Sequence, residues 1–161
     1  MVEARSQAEE QMRRVQSDQL GEVEVADEAV IHFPDGIPGF EECHDFVIIE
    51  DEELAPFRWL QSLDDGEIAF VVVDPVLIFP GYEVQLGPAD TAAIRLGDPK
   101  RALVQVILTI SEDPDKTTAN LQGPLLINAD QNLGCQVLLT RSPYATRYSV
   151  MQGLAAPGHA R

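Results

Sequence analysis

FRWLQSLDDGEIAFVVVDPVLIFPGY, residues 57–82, is the stretch whose reading decides the fold. In its first part Phe57, Trp59 and Gln61 alternate with Arg58, Leu60 and Ser62. A period of two puts successive side chains on opposite faces of a strand. In its second part every position from Ile68 to Val73 is apolar, as in a strand covered on both faces. Asp64-Asp65-Gly66 supplies turn chemistry between them, because glycine takes positive φ without steric cost. Asp74-Pro75 stops the second strand, since proline lacks a ladder donor and restricts the residue before it. The stretch is a hairpin at the centre of a sheet, and it carries the protein's one tryptophan, Trp59.

Before this hairpin, residues 1–20 place Ala4, Ala8, Met12 and Val15 at helical spacing on a thin apolar stripe. A helix of this length is marginal in water, so the segment reads as an acidic arm, partly helical or disordered. The β domain then runs over residues 21–152. Strands are expected over Ala29–Phe33 and Asp45–Ile49, with a helical turn at Phe40–His44 and an acidic loop at Glu50–Glu53. After the hairpin, Val76–Phe79 reads as a short extended piece and Tyr82–Leu86 as a further strand. Pro88–Leu96 reads as a helix, with proline in its first turn and Gly97 past its end. Strands follow over Ala102–Ile110, Thr118–Leu121, Pro124–Asn128, Cys135–Thr140 and Tyr144–Val150. The Ala/Gly/Pro-rich tail, 153–161, reads as disordered. Many short strands, frequent turns and few helices predict a mainly β protein: a small antiparallel barrel-like or folded-over sheet with one or two short helices.

The chain has 161 residues, 45% of them apolar, which suits one domain with an ordinary core. At this size roughly 68–70% of the unfolded surface is buried, so disulfides are not needed. No apolar run reaches the ~20 residues that span a bilayer, and no secretory h-region is visible, which points to the cytoplasm. Cys43 and Cys135 have no metal or redox spacing and read as small apolar fillers. The formal charge is −16, and it is unevenly spread. Residues 1–56 hold sixteen acids against three arginines, a net of −13; the remaining residues hold eleven acids and eight bases, a net of −3. Such a field repels phosphate backbones and favours encounter with basic surfaces. Direct nucleic-acid binding is therefore disfavoured. Solubility by itself also accounts for an acidic surface.

No catalytic or metal motif stands out. Of the three histidines, His44 lies beside Cys43, but adjacent residues on a strand or tight turn point apart. No metal-ligand spacing, phosphate loop or nucleophile elbow is present. A carboxylate pair acting as in a glycosidase is the enzymatic alternative, a small β-barrel enzyme. With 27 acids, chance pairs are expected, and the balance favours a binding protein.

Four segments resemble the FliW family of flagellar assembly factors. They are Gly36-Ile37-Pro38-Gly39-Phe40-Glu41; Phe57–Ser62 with Ala69-Phe70 and Asp74-Pro75; Thr118-Ala119-Asn120-Leu121 with Pro124 and Ile127-Asn128; and Gln136-Val137-Leu138-Leu139. Together they span about residues 28–150. Gly81 and Gly123 depart from the family's usual residues. The resemblance implies a regulator without catalysis, cofactor or metal. It implies binding to the RNA-binding translational repressor CsrA, which it antagonises allosterically, and to flagellin as a chaperone. Polar or aromatic residues near loops are the expected partner contacts: Phe40, Glu41, Gln61, Asp64, Asp65 and Tyr82. Reversing Glu41, Asp64 and Asp65 to lysine is expected to weaken CsrA binding with stability nearly unchanged.

Overall fold

The computed structural model describes residues 12–154. The hairpin of residues 57–82 is its centre. β5 (Arg58–Ser62) pairs antiparallel with β6 (Ala69–Val73), Arg58 opposite Val72 and Gln61 opposite Ala69. β4 (Asp45–Glu50) lies on the far side of β5, and β7 (Leu103–Thr109) on the far side of β6. The ring continues from β4 to β3 (Ile31–His32), β10 (Leu133–Gln136) and β9 (Leu125–Asn128). Pairing of β9 with the first half of β7 closes it, with Leu103 opposite Ile127 and Gln105 opposite Leu125. The result is a closed barrel of β3, β4, β5, β6, β7, β9 and β10. Its pairings are antiparallel except at β3–β10, a single parallel pair of His32 with Leu133. β8 (Thr118–Ala119) and β11 (Tyr148–Ser149) extend the sheet outward from the second half of β7.

Alternation along the strands fills both sides of this wall. Phe46, Leu60, Val72, Leu125 and Ile127 point inward and meet Phe33 and Ile37 in the barrel core. Val71, Val73, Val106 and Leu108 point outward, where Ile78, Tyr82, Leu121 and Val150 cover them. Those two layers are why the run from Ile68 to Val73 is apolar throughout. A third cluster packs Ile94 and Leu96 onto Leu126 and Val137.

The N-terminal segment departs from the helical expectation. Met12–Ser17 is a strand, β1, and pairs with β2 (Gly21–Ala26) through a turn that ends on Gly21 at φ +75°. Val15, Ser17 and Val25 are buried against the barrel at alternate positions, a period of two that tertiary packing selects over helical spacing. Residues 1–11 of the expected arm lie outside the described residues, as do 155–161 of the expected tail.

Several boundaries also move. Asp27–Ala29 is a 3-10 turn and not part of the first strand. Residues 38–42 form turns without a helix, and no strand covers 82–86. Pro75–Leu77 is a 3-10 turn where an extended piece was expected. Pro99–Arg101 and Pro114–Lys116 are the same kind of turn. Each follows an aspartate, Asp74, Asp98 or Asp113, whose carboxylate accepts the N–H two residues on. The helix α1 spans Pro88–Ala93, shorter than expected, and Arg95 (φ +54°) rather than Gly97 turns the chain after it. β10 ends at Gln136, and Val150–Leu154 is a second short helix, α2, which replaces the expected strand end and takes in Gly153.

Candidate partner-binding surface

The loop Gly36–Glu41 is built by glycines used in two ways. Gly36 and Gly39 hold φ values of +67° and +91°, the left-handed region that favours glycine. A Cβ on Gly36 would also lie 2.7 Å from the Glu41 backbone, so the loop crosses itself too closely for any side chain. Ile37 is buried beneath it, and Glu41 accepts the Gly39 N–H at 3.1 Å. Phe40 is 38% exposed, its ring edge-on to Phe70 at 5.1 Å. The loop abuts β10, where a small cleft of about 170 Å³ lies between Gly36, Glu41, Gly134 and Cys135.

Asp64 and Asp65 lie at the same end, in the turn after β5. Both are exposed, yet their side chains have local work. Asp64 accepts the N–H groups of His44 and Asp45 at 2.7 and 2.8 Å, and Asp65 accepts that of Glu67. Ser62 Oγ accepts the N–H groups of both aspartates. Asp64→Lys would leave two backbone donors without their carboxylate. The triple reversal is therefore expected to cost stability, where the sequence alone leads one to expect almost no change. Beside this turn Asp45 accepts hydrogen bonds from Arg13 (2.8 Å) and pairs with His32 Nδ1 (2.8 Å).

Burial alone would raise the Asp45 pKa, but the hydrogen bonds and charges of His32 and Arg13 outweigh it and hold the carboxyl below its usual range. A folded-state pKa below the unfolded value of 3.8 stabilises the fold above that pH and is lost as pH falls through the folded pKa. Wild type is thus expected to lose melting temperature more steeply below about pH 4 than Asp45→Asn does, measured by thermal melts across an acid series. Parallel acid limbs would refute the assignment.

Gln61 and Tyr82, expected at the surface as partner contacts, are both buried. Gln61 has no exposure. Its Oε1 accepts the Ser17 hydroxyl at 2.6 Å, and its Nε2 faces the carbonyls of Ser62, Gly66 and Ile68. It fastens β1 to the β5–β6 turn. Gly66 helps by close approach and not by positive φ: a Cβ there would fall on the Gln16 carbonyl oxygen. Tyr82 is buried and donates its hydroxyl to the Leu121 carbonyl at 2.6 Å. Burial, and then the neighbouring Tyr144, keep that hydroxyl protonated well above the usual phenol range. Tyr82→Phe should cost about 1–2 kcal/mol in urea unfolding, because it strands a buried carbonyl; no change would show that the bond contributes nothing.

Asn120 and Asn128 build turns. Asn120 Oδ1 accepts the N–H groups of Gln122 and Gly123. Buried Asn128 donates to the carbonyls of Ile94 and Arg95, just past α1, and accepts the Asp130 N–H. Cys43 is buried, and burial followed by the charges of Asp90 and Asp35 pushes the Cys135 thiol up to about 11. Among the described residues, no group of three or more His, Cys, Asp or Glu could hold a metal ion, and no helix is long and apolar enough to cross a membrane.

Sequence reasoning missed a second region, at the opposite end of the barrel. There Val76, Leu77 and Leu103 stand exposed beside the Glu50–Glu53 loop. The signal that could have found them was Asp74-Pro75. An aspartate cap with proline next sets a 3-10 turn, and that turn points the following side chains outward.

Fold and surface define a small, acidic, mainly β barrel whose motif residues chiefly shape loops. The chain belongs to the FliW family: the model of that family, described as FliW protein, matches residues 14–150. The match begins inside β1, so the hairpin of residues 12–26 belongs to the domain. The chain is 40% identical over 136 residues to the flagellar assembly factor FliW of Caldanaerobacter subterraneus subsp. tengcongensis, covering 84% of this chain and 91% of that protein. It is 38% identical over 144 residues to the flagellar assembly factor FliW of Treponema denticola, covering 89% and 97%. A crystal structure of the flagellar assembly factor FliW superposes with a TM-score of 0.80 at 34% identity, over 85% of this chain and 96% of that one.

Proposed function

We propose that this protein is a cytoplasmic flagellar assembly factor that works by holding other proteins and turns nothing over. It binds the translational repressor CsrA and antagonises it allosterically, and it binds flagellin as a chaperone. Flagellin level is thereby coupled to flagellin translation: while flagellin occupies the factor CsrA is free to repress, and export of flagellin releases the factor to capture CsrA. Such an exchange works only through differential affinity for the two clients. The observation that carries the reading is the charge distribution, a net of −13 over residues 1–56, on a barrel of the FliW family. An RNA-binding repressor presents basic surface, and opposite fields speed encounter.

The test titrates the purified full-length chain into labelled CsrA, with flagellin as competitor. Binding should weaken as salt rises, and flagellin should displace CsrA. An allosteric antagonist should lower the affinity of CsrA for RNA to a plateau, where a competitor at the RNA surface would lower it without limit. Absence of binding to both clients would overturn the proposal.

A further inference from the structure

We infer that the β1–β2 hairpin is a strap whose seating holds the barrel closed, and that Asp45 transmits its state to the parallel His32–Leu133 pairing. The hairpin is a two-stranded sheet of its own, outside the barrel's sheet. Its ladder, Met12 to Ser17 against Ala26 to Gly21, is internal, so the hairpin can leave the barrel without unfolding. It seats on the barrel through the buried side chains of Val15 and Val25 and, among the described residues, through three polar ties. Two lie at its turn: Ser17 Oγ donates to Gln61 at 2.6 Å, and the Asp18 N–H donates to the Gly66 carbonyl at 3.1 Å. The third is Arg13 on Asp45. The link to the barrel, Asp27–Ala29, is a 3-10 turn with no buried residue. A unit so lightly fastened opens at lower free energy than the barrel itself.

Asp45 is where the strap meets the closure. Each carboxylate oxygen has its own partner: Oδ2 takes the Arg13 guanidinium at 2.8 Å, and Oδ1 faces His32 Nδ1 at 2.8 Å. The two partners therefore do not compete. The backbone of Asp45 is fixed already, its N–H donating to the Asp64 carboxylate at 2.8 Å and its carbonyl accepting the Leu63 N–H at 2.8 Å. Only the carboxylate's rotamer remains to be set, and one setting serves both partners. Once either bond has ordered that rotamer, the other forms at a smaller entropic cost.

His32 stands at the narrowest pairing in the ring. It faces Asp45 across β3–β4 and Leu133 across β3–β10, and its N–H donates to the Asn132 carbonyl at 2.8 Å. Asn132 in turn donates its side-chain amide to the Glu28 carbonyl at 2.7 Å, in the link that carries the strap. The strap is thus tied to both sides of this pairing, through Arg13 on Asp45 and through Glu28 on Asn132. When it lifts, the Asp45 carboxylate is free to turn, His32 loses its orientation, and the single pair with β10 opens more often. Seated strap and closed barrel favour each other, and such coupling runs both ways.

The experiment is amide hydrogen exchange, read by NMR on the full-length chain and on its Arg13→Gln and His32→Ala variants. The Arg13 and His32 side chains are 37% and 50% exposed, so neither change opens a cavity in the core. Arg13→Gln should speed exchange of the His32 amide about threefold or more, with the β6 amides of Val71, Val72 and Val73 unchanged. His32→Ala should speed exchange of the Asp18 amide, the strap's bond to Gly66, by a similar factor. In an Asp45→Asn background, Arg13→Gln should have no further effect at His32. Unchanged exchange at His32 in Arg13→Gln, or at Asp18 in His32→Ala, would overturn the coupling. An effect of Arg13→Gln that persists in the Asp45→Asn background would mean another route to His32 and would remove Asp45 from the role assigned to it.

Discussion

Phe46→Ala should lower the unfolding free energy by about 3–5 kcal/mol, the range for truncating a fully buried aromatic side chain. Phe46 has no exposure and sits where the barrel's layers meet. Its ring is edge-on to Phe33 at 5.3 Å and tilted against Phe70 at 6.2 Å, and its strand pairs with both β3 and β5. Phe33 is poorly placed to collapse into the space, because its ring is wedged beneath Gly134, where a Cβ would lie 2.6 Å from it. Urea denaturation followed by tryptophan fluorescence gives the number. A loss below about 1.5 kcal/mol would mean that the interior repacks freely and that the aromatic wedge is not structural.

Gln61→Ala should cost about 2–4 kcal/mol, through a cavity and through polar atoms deprived of partners. The change leaves the Ser17 hydroxyl without its acceptor and three carbonyls without the side-chain amide. The damage should be local first. The β1–β2 hairpin is held through Ser17, through the Asp18 N–H on the Gly66 carbonyl and through Arg13 on Asp45. Hydrogen exchange should therefore show β1 amides losing protection ahead of the barrel. Unchanged protection of the β1 amides in the variant would show that Gln61 does not fasten the hairpin.

These two residues show what the sequence made legible. The period of two over Phe57–Ser62 and the continuous apolar run after it located the central hairpin, because a wall packed on both faces has that signature. Closure of the barrel was not legible to the same degree. It depends on β7 dividing its pairing among β6, β8 and β9, and on a β3 of two residues, too short for any periodicity. The N-terminal hairpin departs from the helical expectation because Met12 and Val15, three apart, fit a helical spacing, whereas the strand puts them on opposite faces, Met12 exposed and Val15 buried. The alternation is selected by the barrel surface on which Val15 and Ser17 lie. Among the candidate contacts, polarity near a loop identified Phe40, Glu41, Asp64 and Asp65 as exposed. It failed for Gln61 and Tyr82, since a polar group that completes a buried hydrogen bond looks the same in sequence as one awaiting a partner. The Asp-Pro dipeptides at 74, 98 and 113 were a signal within reach: an aspartate acceptor followed by a residue with preset φ describes the turn seen at each.

The lone parallel pairing of His32 with Leu133 has a mechanical corollary. A hoop parts where its clasp is weakest, and here one residue pair and the wedged Phe33 ring do the work that a full ladder does elsewhere. Any widening of the barrel severs the fewest main-chain bonds at that clasp. The glycine-bearing loop of residues 36–41 borders that clasp, sharing a cleft with Gly134 and Cys135.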